Sequence, residues 1–342
     1  MPTPLFRRVA VHARCFALAL PFLAAAGAAR SDIVESLTIV SWNVAHFYTD
    51  RSHYEDGRLR RFARTPEDLA RLRAYAKGLD ADVILFQELD GAEAARMLLP
   101  DGYCVEASPR DNGNPITSRQ KLVVAFRAAL ASDASGCMPR VGWYLPLALP
   151  GDHLRYGADF QLPLGQRAVR FLGVHLKSGC HAGPLDAYAR LSADATDWAR
   201  RTAKACARLA RQVPPLVDWI EDRVREDVPF IVFGDFNRRF DGEGARGDGS
   251  ALWPILSDGD PIGQSLVRPT RFQVAPCWAG GRYRRFIDHF VMNERAAALV
   301  RLGSFEQRPY DAPFAGDEAM SHRLSDHCAI RITLDADPEA GS

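Results

Sequence analysis

Six short polar motifs in this 342-residue chain place carboxylate, carboxamide and imidazole groups at or beside apolar segments. The motifs are Ser41-Trp42-Asn43, Gln87-Glu88, His175-Leu176-Lys177-Ser178, Gly234-Asp235-Phe236-Asn237, Asp288-His289 and Ser325-Asp326-His327. Imidazole exchanges protons near neutral pH, and carboxylate oxygens bind hard cations. Catalytic groups are usually held on the loops and strand ends of a rigid sheet. Each motif alone is common, so it is their number and order that indicate an active site.

The apolar segments that carry these motifs are predicted to be strands. They are short and rich in Val, Ile, Leu and Phe, and several lack polar alternation, which is typical of central strands covered on both faces. The predicted strands span residues 37–43, 83–88, 121–126, 168–175, 229–235, 286–293 and 328–334. The pair Gly165-Gln166 predicts a hairpin between residues 159–164 and 167–175.

Helices are predicted between these strands. Thr65 caps a helix over residues 66–78, and Asp90 precedes a second helix over residues 92–99. Residues 185–226 are helical in composition, but Pro214 and Pro215 predict a break into two or more helices. The Gly- and Pro-rich residues 238–285 are predicted to be a long functional loop. Because no repeat or linker interrupts this pattern, a single domain over residues 31–342 is expected.

The order and spacing of the six motifs resemble the endonuclease/exonuclease/phosphatase superfamily, which has the fold of deoxyribonuclease I. The resemblance covers roughly residues 37–334. It implies an α+β fold, a four-layer α/β/β/α sandwich in which two packed mixed β-sheets are flanked by helices. It also implies an enzyme that hydrolyses phosphoric ester bonds with the help of Mg²⁺, for which Mn²⁺ or Ca²⁺ can substitute.

The resemblance assigns metal ligands at three positions. Asn43 and Glu88 match the metal-site pair of the family, and Glu88 would offer a carboxylate oxygen to Mg²⁺, which prefers oxygen ligands. Asp326 matches a carboxylate that holds either an imidazole or a second metal ion. The number of metal ions is left open.

The remaining matches are catalytic residues. His175 and His327 resemble the paired histidines of the family, which act as general acid and base; the sequence does not decide which is which. Asp235 matches the residue that orients or deprotonates the attacking water, and Asn237 the donor to a phosphate oxygen. Asp288 matches a carboxylate that supports one of the histidines.

Three residues beside these motifs are assigned structural roles. His289 is expected to point to the opposite face of its strand from Asp288. His181 lies next to Cys180, but no ligand spacing supports a closed zinc site there. Cys328 is expected to face away from His327 as a buried thiol.

The N-terminus is predicted to be a cleavable signal peptide at residues 1–30. Arg7, Arg8 and Arg14 precede an apolar run at residues 15–23, and small residues follow. The run is shorter than the roughly 20 residues of a membrane anchor. We therefore expect an exported monomer, periplasmic or secreted, without stable membrane insertion. The formal net charge of +1 falls to −3 when the four arginines of residues 1–30 are left out, so any attraction to a polyanion must be local.

The cysteines agree with export, because six remain after the signal peptide and disulfides persist in oxidising compartments. Six cysteines allow fifteen full pairings. Cys180 follows a predicted strand and Cys206 lies in the helical segment after it, which favours a Cys180–Cys206 bond. Cys104–Cys137 is the second predicted pair.

Three functions remain open from the sequence. The first is hydrolysis of phosphodiesters, with nucleic acid as the substrate. The second is hydrolysis of a phospholipid or inositol phosphate on the same fold. The third is a non-catalytic binding protein, which is disfavoured because none of the catalytic positions is lost.

Arginines near the motifs favour nucleic acid among these functions. Such residues precede or follow three of the motifs: Arg58, Arg60, Arg61, Arg64, Arg238, Arg239, Arg282, Arg284 and Arg285. Against this stands the apolar stretch 142–149, which contains Trp143 and Tyr144 and is either a membrane-touching hairpin or a buried strand pair.

Overall fold

The computed structural model describes residues 33–337, except 56, 110–119, 134–135, 139, 150–151, 153, 242, 244–249, 263, 270–276, 278–285 and 311–322. The predicted signal peptide and the arginines at 282, 284 and 285 lie outside the described residues. The predictions that concern them, and the predicted domain boundaries, stay predictions.

The described residues form fourteen strands and six α-helices, numbered in chain order. The strands are β1 (Ser36–Phe47), β2 (Val83–Leu89), β3 (Tyr103–Ala107), β4 (Lys121–Arg127), β5 (Ser132–Asp133), β6 (Gly136–Cys137), β7 (Gly142–Tyr144), β8 (Gly157–Leu164), β9 (Arg167–His175), β10 (Phe230–Asp235), β11 (Leu266–Val267), β12 (Asp288–Asn293), β13 (Glu306–Arg308) and β14 (Ala329–Asp335). The α-helices are α1 (Pro66–Gly78), α2 (Ala92–Leu98), α3 (Ala128–Ala131), α4 (Asp197–Arg225), α5 (Leu252–Leu256) and α6 (Glu294–Ala297). Single 3₁₀ turns occur at Arg51–Tyr54, Arg60–Phe62 and Leu145–Ala148.

Two mixed six-stranded sheets organise the chain. The first has the order β13-β14-β1-β2-β4-β3, and the second has the order β11-β12-β10-β9-β8-β7. Each sheet has one parallel pair at its centre, β1 with β2 and β9 with β10. All other ladders in these two sheets are antiparallel. Because parallel strands end at the same edge, each central pair brings two strand ends side by side.

The side-chain alternation of the central strands explains the layers. On β2, Leu85 packs into a core shared by both sheets, whereas Ile84 and Phe86 pack on the other face with α1 and α2. On β9, Phe171 packs into the shared core and Leu172 packs against α4. Successive strand residues face opposite sides, so both sheets are apolar on both faces. The result is the predicted four-layer α/β/β/α sandwich, which is confirmed.

Helix α1 has the bounds predicted from its capping residues. The Thr65 hydroxyl accepts a hydrogen bond from the backbone N–H of Asp68 at 3.2 Å, and the Asp68 carboxylate accepts one from the N–H of Thr65 at 2.9 Å. Pro66 follows the cap, where its missing N–H costs no helical hydrogen bond. The buried Leu72 and Ala76 hold the helix on the first sheet.

Helix α4 contradicts the predicted break at its two prolines. It runs unbroken for 29 residues with Pro214 and Pro215 inside it. Leu209, Leu216 and Ile220 form one buried stripe on both sides of the prolines. A proline inside a helix costs about 3 kcal/mol, and we infer that the continuous packing of this stripe on the second sheet offsets that cost. None of the helices in the described ranges combines the length and apolarity needed to span a bilayer.

Three disulfides are present among the described residues. Cys104–Cys137 and Cys180–Cys206 are the two predicted bonds. The third joins Cys277 to Cys328, so the prediction that Cys328 is a buried thiol is wrong. Cys328 is 3% exposed, and its partner lies 51 residues earlier in the long loop, a contact that spacing alone does not predict.

Gly234 allows the close approach of the two parallel strands that carry His175 and Asp235. Its φ is +135°, and a Cβ atom at this position would lie 2.1 Å from the carbonyl oxygen of Val174. We expect Gly234→Ala to lower the free energy of unfolding by about 3 kcal/mol or more, because the backbone itself must move. Denaturant unfolding checks this. Gly303→Ala is the control, since Gly303 also has positive φ but nothing within 4 Å, and an equal loss in both variants would contradict the steric explanation.

Candidate active site

The ends of the two parallel pairs meet at one cavity of about 340 Å³. Asn43 pairs with Gln87 at the end of the first pair, and His175 pairs with Asp235 at the end of the second. Six of the eight predicted site residues line this cavity: Glu88, Asp235, Asn237, Asp288, Asp326 and His327. The other two, Asn43 and His175, are 1% and 2% exposed and contact Asp235. The structure therefore brings all eight residues together.

His327 and Asp288 form a close pair at one side of the cavity. The Nδ1 atom of His327 lies 2.7 Å from Oδ2 of Asp288. Burial would lower the pKa of His327, but the Asp288 carboxylate, with Asp235 nearby, raises this pKa well above its usual value. The imidazole is therefore held as a cation, with Nε2 left for substrate. Asp288, not Asp326, is the carboxylate that holds this imidazole; Asp326 is exposed at the rim.

Asp235 is the most restrained carboxylate of the site. Its Oδ1 accepts a hydrogen bond from the N–H of Asn237 at 2.7 Å, and its Oδ2 accepts one from Nδ2 of Asn43 at 3.1 Å. The Nε2 atom of His175 is 3.4 Å from the same Oδ2. Burial and the neighbouring Asp288 carboxylate raise the pKa of Asp235 to about 7. A carboxylate with that pKa can accept a proton near neutral pH.

Glu88 stays ionised although it is buried. Burial would raise its pKa, yet the positive charges that His46 carries when protonated and that Arg155 carries permanently lower it below the usual value. The backbone N–H of His46 donates to its Oε2 at 3.1 Å, and Nδ2 of Asn43 lies 3.4 Å from its Oε1. Asn43 thus donates to two carboxylates, Glu88 and Asp235, and holds them in place.

The donor set fits a hard divalent cation. Carboxylate oxygens of Asp235 and Asp288 lie within 4.8 Å of each other and of a ring nitrogen of His327, and Glu88 and Asp326 line the same cavity. The carboxylates are the candidate ligands, because the imidazole of His327 is held as a cation. The Oδ1 atom of Asp288 is buried without a hydrogen-bond partner among the described residues. An oxygen-rich set with unused carboxylate oxygens suits Mg²⁺ better than a soft metal.

His46 is a site residue that the sequence reasoning missed. Its Nε2 lies 3.5 Å from Oε2 of Glu88, and its Nδ1 lies 2.7 Å from the hydroxyl of Tyr48. Burial lowers the pKa of His46, against the opposing effect of Glu88. The register of β1 shifts between Asn43 and Phe47, so simple alternation along the strand does not predict which face His46 occupies.

Arg155 is a second residue that was missed. It is 8% exposed, donates to the side-chain oxygen of Gln120, and its charge acts on both Glu88 and Asp235. It lies in the loop before β8, outside every motif, so no sequence signal marks it.

Left-handed backbone conformations cluster at this site. Ala45, His46, Glu88 and Asn237 have φ values of 46°, 51°, 66° and 52°. Such conformations cost on the order of 1–3 kcal/mol each and tend to occur at functional sites. In Glu88 and Asn237 this backbone conformation occurs near the ends of β2 and β10, where it orients the carboxylate and the amide.

Two of the predicted phosphate-binding arginines have structural roles instead. Arg64 is buried and donates to the backbone carbonyls of six residues: Val44, Ala45, His46, Phe62, Arg323 and Leu324. Arg238 is fully buried and paired with Glu243. The prediction is wrong for these two arginines, because their guanidinium groups are buried and bonded to groups within the fold. Arg61 and Arg239 do line the cavity.

Comparisons with known proteins identify the family of the chain. The family model described as "Endonuclease/Exonuclease/phosphatase family" matches residues 40–327. Among curated proteins, no sequence matches the chain significantly.

Similar solved structures include D. rerio TDP2 humanized by 14 mutations, with 14% identity, a TM-score of 0.50, and coverage of 88% of this chain and 99% of that one. TDP2 from C. elegans has 14% identity and a TM-score of 0.50 over 89% of this chain and 76% of that one. The AP endonuclease LMAP from Leishmania major has 15% identity and a TM-score of 0.49 over 88% of both chains. At these identities the likeness concerns the fold.

Proposed function

This chain belongs to the endonuclease/exonuclease/phosphatase family, whose members hydrolyse phosphoester bonds, and from that premise we propose that it is a nuclease that cleaves phosphodiester bonds of nucleic acid. The observation that carries the proposal is the cavity in which Asp235, with a pKa of about 7, lies close to the His327–Asp288 pair. Hydrolysis of a phosphate ester is promoted by a proton acceptor for the attacking water and a cation that stabilises the developing negative charge, and this cavity contains both.

Each side chain has a role that follows from its surroundings. Asp235 accepts the proton of the attacking water, since its pKa lies near neutrality. His327, held as a cation by Asp288, faces the negative charge that grows on the phosphate or the leaving oxygen. His175 is buried behind Asp235 and positions that carboxylate.

Asn237 and the metal ligands complete the site. One N–H of the Asn237 amide donates to the carbonyl of Leu176 at 3.1 Å, which leaves the second N–H for a phosphate oxygen. Glu88 and Asp326 would hold Mg²⁺, which when bound neutralises phosphate charge and polarises the ester. Burial and, after it, repulsion from the Asp288 carboxylate raise the pKa of Asp235, and a bound cation would offset that repulsion.

Nucleic acid is favoured over lipid by the surfaces near the site. Arg61 and Arg239 line the cavity and can bind flanking phosphates. The apolar stretch 142–149 is largely packed into the fold, because Leu147 is buried and Trp143 packs against the shared core. The exposed side chains of this stretch are Leu145, at 57%, and Pro146. One exposed leucine and the proline beside it give little area for a membrane contact.

Export is part of the proposal. It is supported by the three disulfides, because such bonds persist in oxidising compartments and are rare in the cytosol.

A substrate panel tests the proposed function. Purified protein is assayed with Mg²⁺ on single-stranded and duplex DNA, RNA, sphingomyelin vesicles, an inositol phosphate and a chromogenic phosphodiester. We expect cleavage of an oligonucleotide with a kcat/KM well above that for the lipid. Hydrolysis of the lipid or inositol phosphate without detectable cleavage of any nucleic acid would contradict the nuclease proposal and leave the phosphoesterase assignment intact.

A further inference from the structure

A second cavity, which we call the α4 groove, lies beside the active site. It has a volume of about 410 Å³ and is lined by Lys177, Tyr188, Arg201, Lys204 and Arg208, together with two alanines. No carboxylate is among the described residues that line it. Arg201 and Arg208 are seven residues apart on one helix, about 10 Å along its axis, which is longer than one phosphate group.

The cations of the α4 groove differ from three other arginines of the same helix. Arg211, Arg223 and Arg225, in the second half of α4, each pair with a carboxylate. Arg201, Lys204 and Arg208 line the groove, and among the described residues none of the three forms an ion pair. The groove therefore concentrates uncompensated positive charge in a chain whose overall charge is close to zero.

Aromatic side chains are exposed at the same place. Tyr188, in the groove, is 52% exposed, and Trp198, one turn before Arg201 on α4, is 70% exposed. Among the described residues, several large apolar side chains are strongly exposed, and Tyr188 and Trp198 are the aromatic ones. Exposed rings beside a row of cations are typical of surfaces that stack the bases of a single strand and neutralise its phosphates.

The α4 groove adjoins the catalytic cavity through one peptide unit. Lys177 lines the groove and Ser178 lines the catalytic cavity. The Nζ of Lys177 donates to the carbonyl of Ser178 at 2.6 Å, which leaves two of its three donors for a ligand. Burial, together with the charges of Arg155 and Arg208, lowers the pKa of Lys177 to about 8. Arg155 also acts on Glu88 and Asp235, so positive charge extends from the catalytic carboxylates into the groove.

A disulfide sets the spacing of the two cavities. Cys206, on α4 between Lys204 and Arg208, is bonded to Cys180, in the loop that carries Lys177. The cations of the helix are thereby held at a constant distance from the catalytic loop, which a binding subsite beside a cleavage site requires.

We propose that the α4 groove is a subsite for single-stranded nucleic acid that extends out of the catalytic cavity, with phosphates bound by its four cations and a base stacked on Tyr188. This inference rests on the proposed nuclease function and adds to it the place and the form of the bound strand.

The test compares two variants with equal loss of charge on one helix. The groove variant carries Arg201→Gln, Lys204→Gln and Arg208→Gln. The control variant carries Arg200→Gln, Arg211→Gln and Arg225→Gln, which are exposed and do not line the groove. Binding of a fluorescent single-stranded oligonucleotide is measured by anisotropy across a salt series in the His327→Ala background. Cleavage is measured separately in versions of both variants that retain His327. Thermal unfolding confirms that both variants fold.

We expect the groove variant to raise the Kd at least about tenfold. The slope of log Kd against log salt concentration should decrease by roughly 2, which is about 0.7 for each lost phosphate contact. The control variant should change both quantities much less. Hydrolysis of a chromogenic diester with a single phosphate should be unaffected by the groove variant. Tyr188→Ala should weaken oligonucleotide binding by about tenfold with little change in the salt slope, because stacking does not release counterions.

The outcomes separate this proposal from the proposed function. Equal Kd values and salt slopes for the parent protein and the groove variant would overturn the subsite, even if the oligonucleotide is cleaved. A loss of binding to vesicles of anionic phospholipid, with oligonucleotide binding unchanged, would overturn it as well. Groove-dependent binding of a strand that the parent enzyme never cleaves would support the subsite and refute the nuclease proposal.

Discussion

Replacing His327 by alanine is expected to lower kcat for phosphodiester hydrolysis by about 10²- to 10⁴-fold while the fold is kept. The reason is the 2.7 Å contact between Nδ1 of His327 and Oδ2 of Asp288, which holds the imidazole as a cation at the catalytic cavity. Alanine removes that cation from the developing negative charge. Asp235→Asn should cause a loss of the same order, because the amide cannot accept the proton of water.

The companion variant Asp288→Asn tests the electrostatic part of this explanation. Asp288 raises the pKa of His327. If activity needs the protonated imidazole, activity falls as pH rises through that pKa, and Asp288→Asn should move this alkaline limb to lower pH. His53→Ala is the control, since His53 lies outside the catalytic cavity. Near-parent turnover in His327→Ala, or an unmoved alkaline limb in Asp288→Asn, would remove the pair from the mechanism.

Chelation by EDTA is expected to reduce activity to background, and Glu88→Gln should raise the Mg²⁺ concentration for half-maximal activity by roughly 10- to 100-fold. Glu88 is kept ionised inside the fold by the charges around it, and Asn43 and the backbone of His46 orient its oxygens. Glutamine preserves the shape of the side chain but removes the charge that attracts the cation.

A metal titration of both enzymes, read by activity and by the rise in Tm on adding Mg²⁺, measures this change. Glu93→Gln serves as the control because Glu93 is exposed on α2, where it pairs with Arg96. Full activity of the parent enzyme in excess EDTA would refute metal dependence. An equal Mg²⁺ requirement in Glu88→Gln would assign the ion to other carboxylates.

The central strands and most of the site residues are local properties of the sequence. The runs 37–43 and 229–235 are apolar over several consecutive residues, as strands covered on both faces must be. The first lies within β1, and the second matches β10 to within one residue. The cap formed by Thr65 and Asp68 specifies the start of α1 within four residues. The motifs lie at strand ends, and each of the two sheets has one central parallel pair whose ends lie side by side at the catalytic cavity.

The errors have a common physical cause, which is that the deciding contact joins segments distant in the chain. Helix α4 continues through Pro214 and Pro215 on a continuous stripe of tertiary packing. Cys328 bonds to Cys277, 51 residues away. Arg64 has the same sequence signature as a phosphate-binding arginine, yet its guanidinium meets six carbonyls inside the fold.

The sequence by itself therefore determined the central strands and the start of α1, because apolar runs and capping residues are encoded over short stretches. Through the family resemblance, the order of its motifs also implied the fold class and the chemical types that meet at the catalytic cavity. Only the tertiary structure decided which carboxylate holds His327, that His46 faces Glu88, and that the three α4 cations of the groove lie beside the catalytic loop without an ion pair among the described residues. Pairing, burial and free charge depend on distances between atoms remote in sequence, and those distances exist only after the two sheets have packed.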